Sequence, residues 1–396
     1  MSERGGNELS LGELGGAFGD LGTLVPYLLG YVTVAGLEPA GILITLGAMQ
    51  IATGLRFRTP VAVQPMKAIG TAAISHAGAV TGGALAVAGV FSGLLWLVLA
   101  LSGAIEWIAR VTPRAVVYGL VLGLGMALAV QGLRLMAADP IVAAVAAVAT
   151  IVLLRQPAFP TMLALLAAGV VVALVREPAL LSALGAHGAT LRLPPFSLAN
   201  AGAADVLAGV VVLALPQAAL TLGNAVLATV EENNRLFPGR RTSVRAVAAS
   251  HGVMNLVAGP FGGIPLCHGA GGMAGHVRFG ARTGGAMILL GVLVLATGLF
   301  FAGATGALLR MVPGAILGII LAAAGVELVM GAVVAWPGAP RAGIVLAVTA
   351  ALALWNMAVA FAAGFVLAWA LGARRGGEDV KRGSRGTPDA PIPSEL

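Results

Sequence analysis

The chain has 396 residues, 59% hydrophobic and 10% charged, with a formal net charge of +7. Soluble domains carry about 25% charged residues, so this composition excludes a water-soluble globule and makes the bilayer the solvent. The single cysteine, Cys267, excludes an internal disulfide and a cysteine-based metal cluster, and no motif calls for a metal or cofactor.

Residues 1–13 read as a polar cytoplasmic tail without a cleavable signal. Fourteen hydrophobic segments follow, at 14–36, 40–55, 65–78, 82–101, 113–136, 139–154, 158–175, 204–230, 243–258, 265–276, 285–302, 307–334, 341–354 and 356–371. The first contains GDLGTLVPYLLG, residues 19–30, and Asp20 there is costly inside an apolar helix. Asp20 is a candidate to pair with Lys67 or to carry a coupling proton, and helix capping near the cytoplasmic end is the plainer alternative. The third segment lies in PVAVQPMKAIG and the tenth in PFGGIPLCHGAGG. Each has about half the ~20 residues needed to cross. Between the seventh and eighth, residues 177–203 read as an outer-side connection. The eighth contains LPQAALTLGNAV, which sets Gln217, Thr221 and Asn224 on one helical face. Such donors suit a polyoxygen ligand or interhelical hydrogen bonds. Residues 231–242, EENNRLFPGRRT, read as a solvated loop, and Glu327 in the twelfth segment as a partner for an arginine. Residues 372–396 read as a disordered cytoplasmic tail.

An offset of 200 pairs Pro60 with Pro260, Pro65 with Pro265, His76 with His276, Pro113 with Pro313 and Gly125 with Gly325, which indicates an internal duplication. Pro26 and Pro216 pair at 190. Residues 14–176 and 204–371 are the two halves, and seven segments in each would make the repeats inverted. Charge agrees. Of 23 basic residues, only Arg134, Arg176, Arg192 and Arg310 fall on the outer side and Lys67 within a span; the rest fall inside, with both termini. The basic excess is therefore topological and gives no argument for nucleic acid.

Broken helices at matching places in two halves point to a transporter's binding site. Pro65 and Pro265 suit first helical turns, leaving 60–64 and 260–264 as extended chain at membrane depth. Two such half-helices would bring their positive N-terminal ends together as an anion site. Lys67 would meet the anion's charge. Gln64 and His268 would add donors around Pro65, Met66, Cys267 and Gly269, and His268 could also exchange a proton.

GDLGTLVPYLLG, PVAVQPMKAIG, LPQAALTLGNAV with LFP at 236–238, and PLCHGAGGMAGHVRFGARTG together resemble the molybdate transporter family, a branch related to sulfate permeases. The resemblance runs from about Glu13 to Leu371. It implies an all-α polytopic fold of seven plus seven inverted segments, shared with uracil permeases. Segments 1–4 and 8–11 would form a core domain, and 5–7 with 12–14 a gate domain. The substrate would lie between segments 3 and 10, flanked by 1 and 8, and a homodimer through the gate domains is the family expectation. The resulting expectation is secondary uptake of a tetrahedral oxyanion, molybdate first, by alternating access in a bacterial plasma membrane, with proton symport through Asp20 or His268. Sulfate transport and an anion channel are the alternatives. No paired-carboxylate metal motif or serine–histidine constellation near a span argues for an enzyme.

Overall fold

Apolar runs broken by glycine, proline and short charged turns fold as helices along the whole chain. The computed structural model describes residues 6–75, 80–153, 155, 161–186, 188–334 and 340–373. His76 and the tail beyond Ala373 lie outside the described residues. The first half runs Leu11–Ala17 (α1), Leu21–Leu29 (α2) with a π-helical turn over Gly30–Val34, Pro39–Phe57 (α3), the strand Ala62–Pro65 (β1), Lys67–Ser75 (α4), Gly82–Leu101 (α5), Ala104–Val111 (α6), Arg114–Ala137 (α7), Pro140–Leu153 (α8) and Thr161–Arg176 (α9). Ala179–Ala186 (α10) lies in the connection. The second half begins with Ala203–Leu207 (α11), a π-helical stretch over Ala208–Ala214, Leu215–Leu220 (α12), a second π-helical stretch over Thr221–Ala228 and Thr229–Leu236 (α13). It continues through Val244–Ala258 (α14), the strand Leu266–Gly269 (β2), Ala270–Arg278 (α15), Gly285–Phe300 (α16), Thr305–Arg310 (α17), Gly314–Val334 (α18), Pro340–Ala353 (α19) and Met357–Ala370 (α20).

Each of the fourteen apolar segments carries helix. Five helices are long and apolar enough to cross a bilayer, or up to eight if each bent pair is one span. Ile141, Val145 and Val148 leave one side of α8 exposed and apolar, a surface that only lipid or protein covers without cost.

The all-α expectation needs correction, because β1 and β2 form an antiparallel pair with Ala62 opposite Gly269 and Pro65 opposite Leu266. Extended backbone at membrane depth must satisfy its polar groups internally, and each broken segment uses the other as its partner. The pairing also shifts the half-helices from the expected starts. α4 begins at Lys67, but α15 begins at Ala270, so Pro265 precedes the strand instead of opening a helix. α4 therefore opens on Lys67 and α15 on Ala270, and His268 belongs to β2.

Contacts between the halves come in matched sets. α3 packs on α16 and α5 on α14; α2 packs on α18, and the π-helical stretch 221–228 on α7; β1 meets β2, and α7 meets α18. At the last crossing a side chain on Gly125 would meet the Gly325 carbonyl at 2.8 Å, and one on Gly318 would meet that of Gly132 at 2.6 Å. The register runs backwards along one helix relative to the other, so α7 and α18 are antiparallel. Only glycine permits this approach, the device membrane helices use where lipid supplies no hydrophobic drive.

Residues 7–13 are bound in place, not a loose tail. Asn7 Nδ2 donates to the Gly54 carbonyl at 3.1 Å, and the Ser10 hydroxyl caps α1. Glu13 is 2% exposed. Its carboxylate accepts the amides of Arg282 and Thr283 at 2.8 Å and of Ala286 at 2.9 Å, closing the N-terminus of α16. Glu13→Ala would leave three amides without that acceptor, so a stability loss of about 3 kcal/mol or more is expected in detergent melting. A melt unchanged from wild type would show that water replaces the carboxylate freely.

The stretch 231–242 also departs from the loop expectation. α13 carries EENN as helix, with Glu232 2% and Asn233 0% exposed. Asn233 Oδ1 accepts from Thr59 Oγ1 at 2.7 Å, and its Nδ2 donates to the Arg240 carbonyl at 3.0 Å, which ties the two halves together.

Candidate anion-binding site

The site is built on the β1–β2 pair. Antiparallel pairing places the start of α4 at one end of the ladder and the start of α15 at the other. At 3.2–3.4 Å per residue the two N-termini lie about 10 Å apart along the strands, so they flank a site and do not touch. Pro65 ends β1, and the Met66 amide donates to the Pro265 carbonyl at 2.8 Å. Met66 is fully buried, and Cys267 Sγ lies 3.6 Å from the Pro65 carbonyl.

At the α4 end Lys67 is partly exposed. Among the described residues its ammonium has neither a hydrogen bond nor an ion pair. The expected pairing with Asp20 is absent, because Asp20 Oδ2 accepts from Gln64 Nε2 at 2.7 Å instead. Asp20 stands at the break before α2 and makes no side-chain cap there. The Ala68 amide donates to Gln217 Oε1 at 2.8 Å, so Gln217 caps the half-helix. Gln217 Nε2 in turn donates to Thr221 Oγ1 at 3.0 Å. Tyr27, from α2, places its hydroxyl 3.2 Å from Thr71 Oγ1.

The expected face of Gln217, Thr221 and Asn224 is altered by winding. The chain changes to π geometry at Thr221, so α-helical spacing no longer relates Asn224 to the other two. Pro216, like Pro26 in the first segment, removes an intrahelical donor beside such wide turns, and π turns recur at functional sites. Asn224 is 3% exposed and its Oδ1 has no partner among the described residues.

His268 is fully buried. Its Nδ1 lies 3.0 Å from the Ala62 carbonyl and its Nε2 3.0 Å from Ser250 Oγ, while its backbone amide donates to His251 Nε2 at 3.1 Å. The His251 and His268 rings meet edge to face with centroids 4.7 Å apart. Both ring nitrogens of His268 are thus engaged within the fold. Ser250 and His251 escaped the sequence reading, since polar residues inside an apolar helix carry no motif until β2 is seen against α14.

At the α15 end the helix has no side-chain cap. The first-turn amides of Ala270, Gly271 and Gly272 have no intrahelical acceptor. Gln64 lies across this turn, 1% exposed. A side chain on Gly269 would collide with Gln64 Oε1, and one on Gly272 would come to 2.5 Å from Gln64 Nε2 and 2.6 Å from Asp20 Oδ2. The two glycines are the space that the Gln64–Asp20 pair occupies. Leu128 of α7 and Leu328 of α18 close over Gly271 from the other side.

Broken antiparallel segments, half-helices heading away from a short strand pair and a cation beside one of them define a polytopic membrane transporter. Among solved structures, the transmembrane domain of the cyanobacterial bicarbonate transporter BicA superposes with a TM-score of 0.52 at 18% identity, over 90% of this chain and 97% of that one. The murine Slc26a9 anion transporter superposes with a TM-score of 0.57 at 12% identity, over 93% and 69%. The family model for the molybdate transporter of MFS superfamily matches residues 12–128 and 209–328. Molybdate transporter 2 of Arabidopsis thaliana is 33% identical over 80% of this chain and 78% of its own. Molybdate transporter 1 of Chlamydomonas reinhardtii is 30% identical over 93% of each. The chain belongs to the molybdate transporter family and is a transporter, not an enzyme.

Proposed function

We propose that the protein moves molybdate across the membrane as a secondary transporter, binding the dianion between α4 and α15. The observation that carries this reading is the unpaired Lys67 ammonium at one end of the β1–β2 ladder, with the uncapped N-terminus of α15 at the other. A dianion between them would meet a full positive charge and a helix dipole. Asn224 would approach from the π-helical stretch, while Gln217, Thr221 and His268 hold the frame through the bonds they already make.

The matched contacts between halves support a seven-plus-seven inverted repeat, with α7–α9 and α18–α20 as the gate moving against the remainder. Arginine distribution supports cytoplasmic termini. The relatives named above come from a plant and an alga, so the support is for a multi-pass membrane protein and not for a bacterial membrane in particular.

Uptake of labelled molybdate into proteoliposomes, with unlabelled molybdate, tungstate and sulfate as competitors, tests the reading. Saturable uptake with counterflow exchange is expected, and competition by tungstate before sulfate. Uptake without counterflow would make the protein a channel, and uptake competed first by sulfate would make it a sulfate carrier.

A further inference from the structure

Gln64 is arranged in a way that anion binding alone does not explain. Its amide is 1% exposed, and its two ends are treated differently. Nε2 donates to Asp20 Oδ2 at 2.7 Å, while Oε1 is buried without a donor among the described residues and turned toward Gly269, at the head of α15. Leaving an acceptor unsatisfied in a buried site is costly. It also directs a lone pair at the place where an oxyanion would sit on the α15 amides. Nε2 donating to Asp20 is the arrangement that an ionised Asp20 imposes, since a carboxylate can only accept.

We propose that Asp20 and Gln64 form a proton-operated switch that couples anion binding to proton binding, an inference that rests on the oxyanion reading of this site. When Asp20 takes a proton from water, its new O–H donates to Gln64 Oε1. The primary amide turns over, and Nε2 then points at the head of α15 as a donor to the bound oxyanion. One proton is taken up for one anion, and no other bond changes. Ionised Asp20 returns the acceptor to the site and weakens the anion.

The surroundings permit the turn and limit who else could titrate. Gly269 and Gly272 leave the amide plane unobstructed by side chains of α15. Among the described residues, the charged or titratable groups beside Asp20 are Lys67 at the head of α4 and Cys267 on β2, with His276 of α15 against the neighbouring Gly19. His276 Nδ1 lies 2.8 Å from the Gly16 carbonyl. α18 presents Leu317 and Leu321 to this break, against Gly22. Lys67 sets the field at Asp20 but has no part in the amide's turn.

The test is molybdate binding to the purified protein between about pH 5.5 and 8.5, a window over which proton-linked binding must change its affinity. In wild type the affinity is expected to fall by up to about tenfold per pH unit on the alkaline limb, with about one proton taken up per anion by calorimetry in buffers of different ionisation enthalpy. Asp20→Asn places a fixed N–H donor opposite Gln64 Oε1, so it is expected to bind with the acid-limb affinity at every pH and to take up no proton. Gln64→Leu is expected to bind weakly with no pH slope. Should Asp20→Asn fail to fold, infrared difference spectra of wild type serve instead, and a protonated carboxylic acid band must appear on molybdate addition. Flat wild-type binding, an Asp20→Asn variant that keeps the wild-type slope, or no such band overturns the switch while leaving the transport reading in place. Absence of molybdate binding at any pH overturns the transport reading and the switch together.

Discussion

Lys67→Ala is expected to reduce molybdate uptake into proteoliposomes by about 10- to 100-fold, the range for losing one charge-assisted contact of about 1.5–3 kcal/mol. Stability should change little. The ammonium has no partner among the described residues, so its removal breaks no ion pair and strands no carboxylate. A lysine in a first helical turn opposes the dipole, and truncation relieves that conflict in the empty protein. The variant should therefore melt at or slightly above the wild-type temperature. Lys67→Arg should recover part of the uptake, since charge returns with a different donor geometry. Uptake by Lys67→Ala equal to wild type would move the anion away from α4.

The second large effect lies on α13. Arg235 reaches Glu232 of its own helix with two bonds, at 2.7 and 3.0 Å, and Glu327 of α18 at 3.5 Å. Its guanidinium lies on α18 at Gly331, where a side chain would come to 2.5 Å from it. The Glu232 side chain is 2% exposed, so Arg235→Met would leave a buried carboxylate without its partner. Breaking a buried pair costs about 3–5 kcal/mol, and a fall of that order is expected in denaturant or thermal unfolding in detergent. Arg235→Met with Glu232→Gln should regain most of it, because the stranded charge is gone. Glu327→Gln is expected to act differently. It keeps the inner pair and releases only the link to α18, so stability should hold while the transport rate shifts with the balance between states. If the double variant is no more stable than Arg235→Met alone, the loss comes from packing and not from the stranded charge.

Much of this was legible in the residues. The apolar segments mark the helices, and Pro65 with Pro265 marks the two places where a helix gives way to strand. Lys67 and Asp20 stand out because an ionisable group in an apolar segment has few reasons to be there. Glu327 does meet an arginine. The misreadings share one cause. Local spacing leaves open whether Gln217 meets a ligand or another helix, and in the structure it caps α4, because the free amide at Ala68 is a partner that no local spacing shows. EENN was read as solvated loop because it is polar, yet Asn233 and Glu232 find partners in Thr59 and Arg235. His268 stood one residue from the position mirrored by Lys67, and only the strand register moved it off the helix.

The sequence by itself determined the solvent, the positions of the two breaks and the family. Each of these follows from composition or from residues close along the chain. The tertiary structure alone decided the β1–β2 register, the different starts of α4 and α15, and the choice of Gln64 over Lys67 as the partner of Asp20. Those depend on contacts between residues from 44 to about 200 positions apart. In lipid no water stands ready to satisfy a buried polar group, so the fold had to choose a partner for each one, and that choice is made in space.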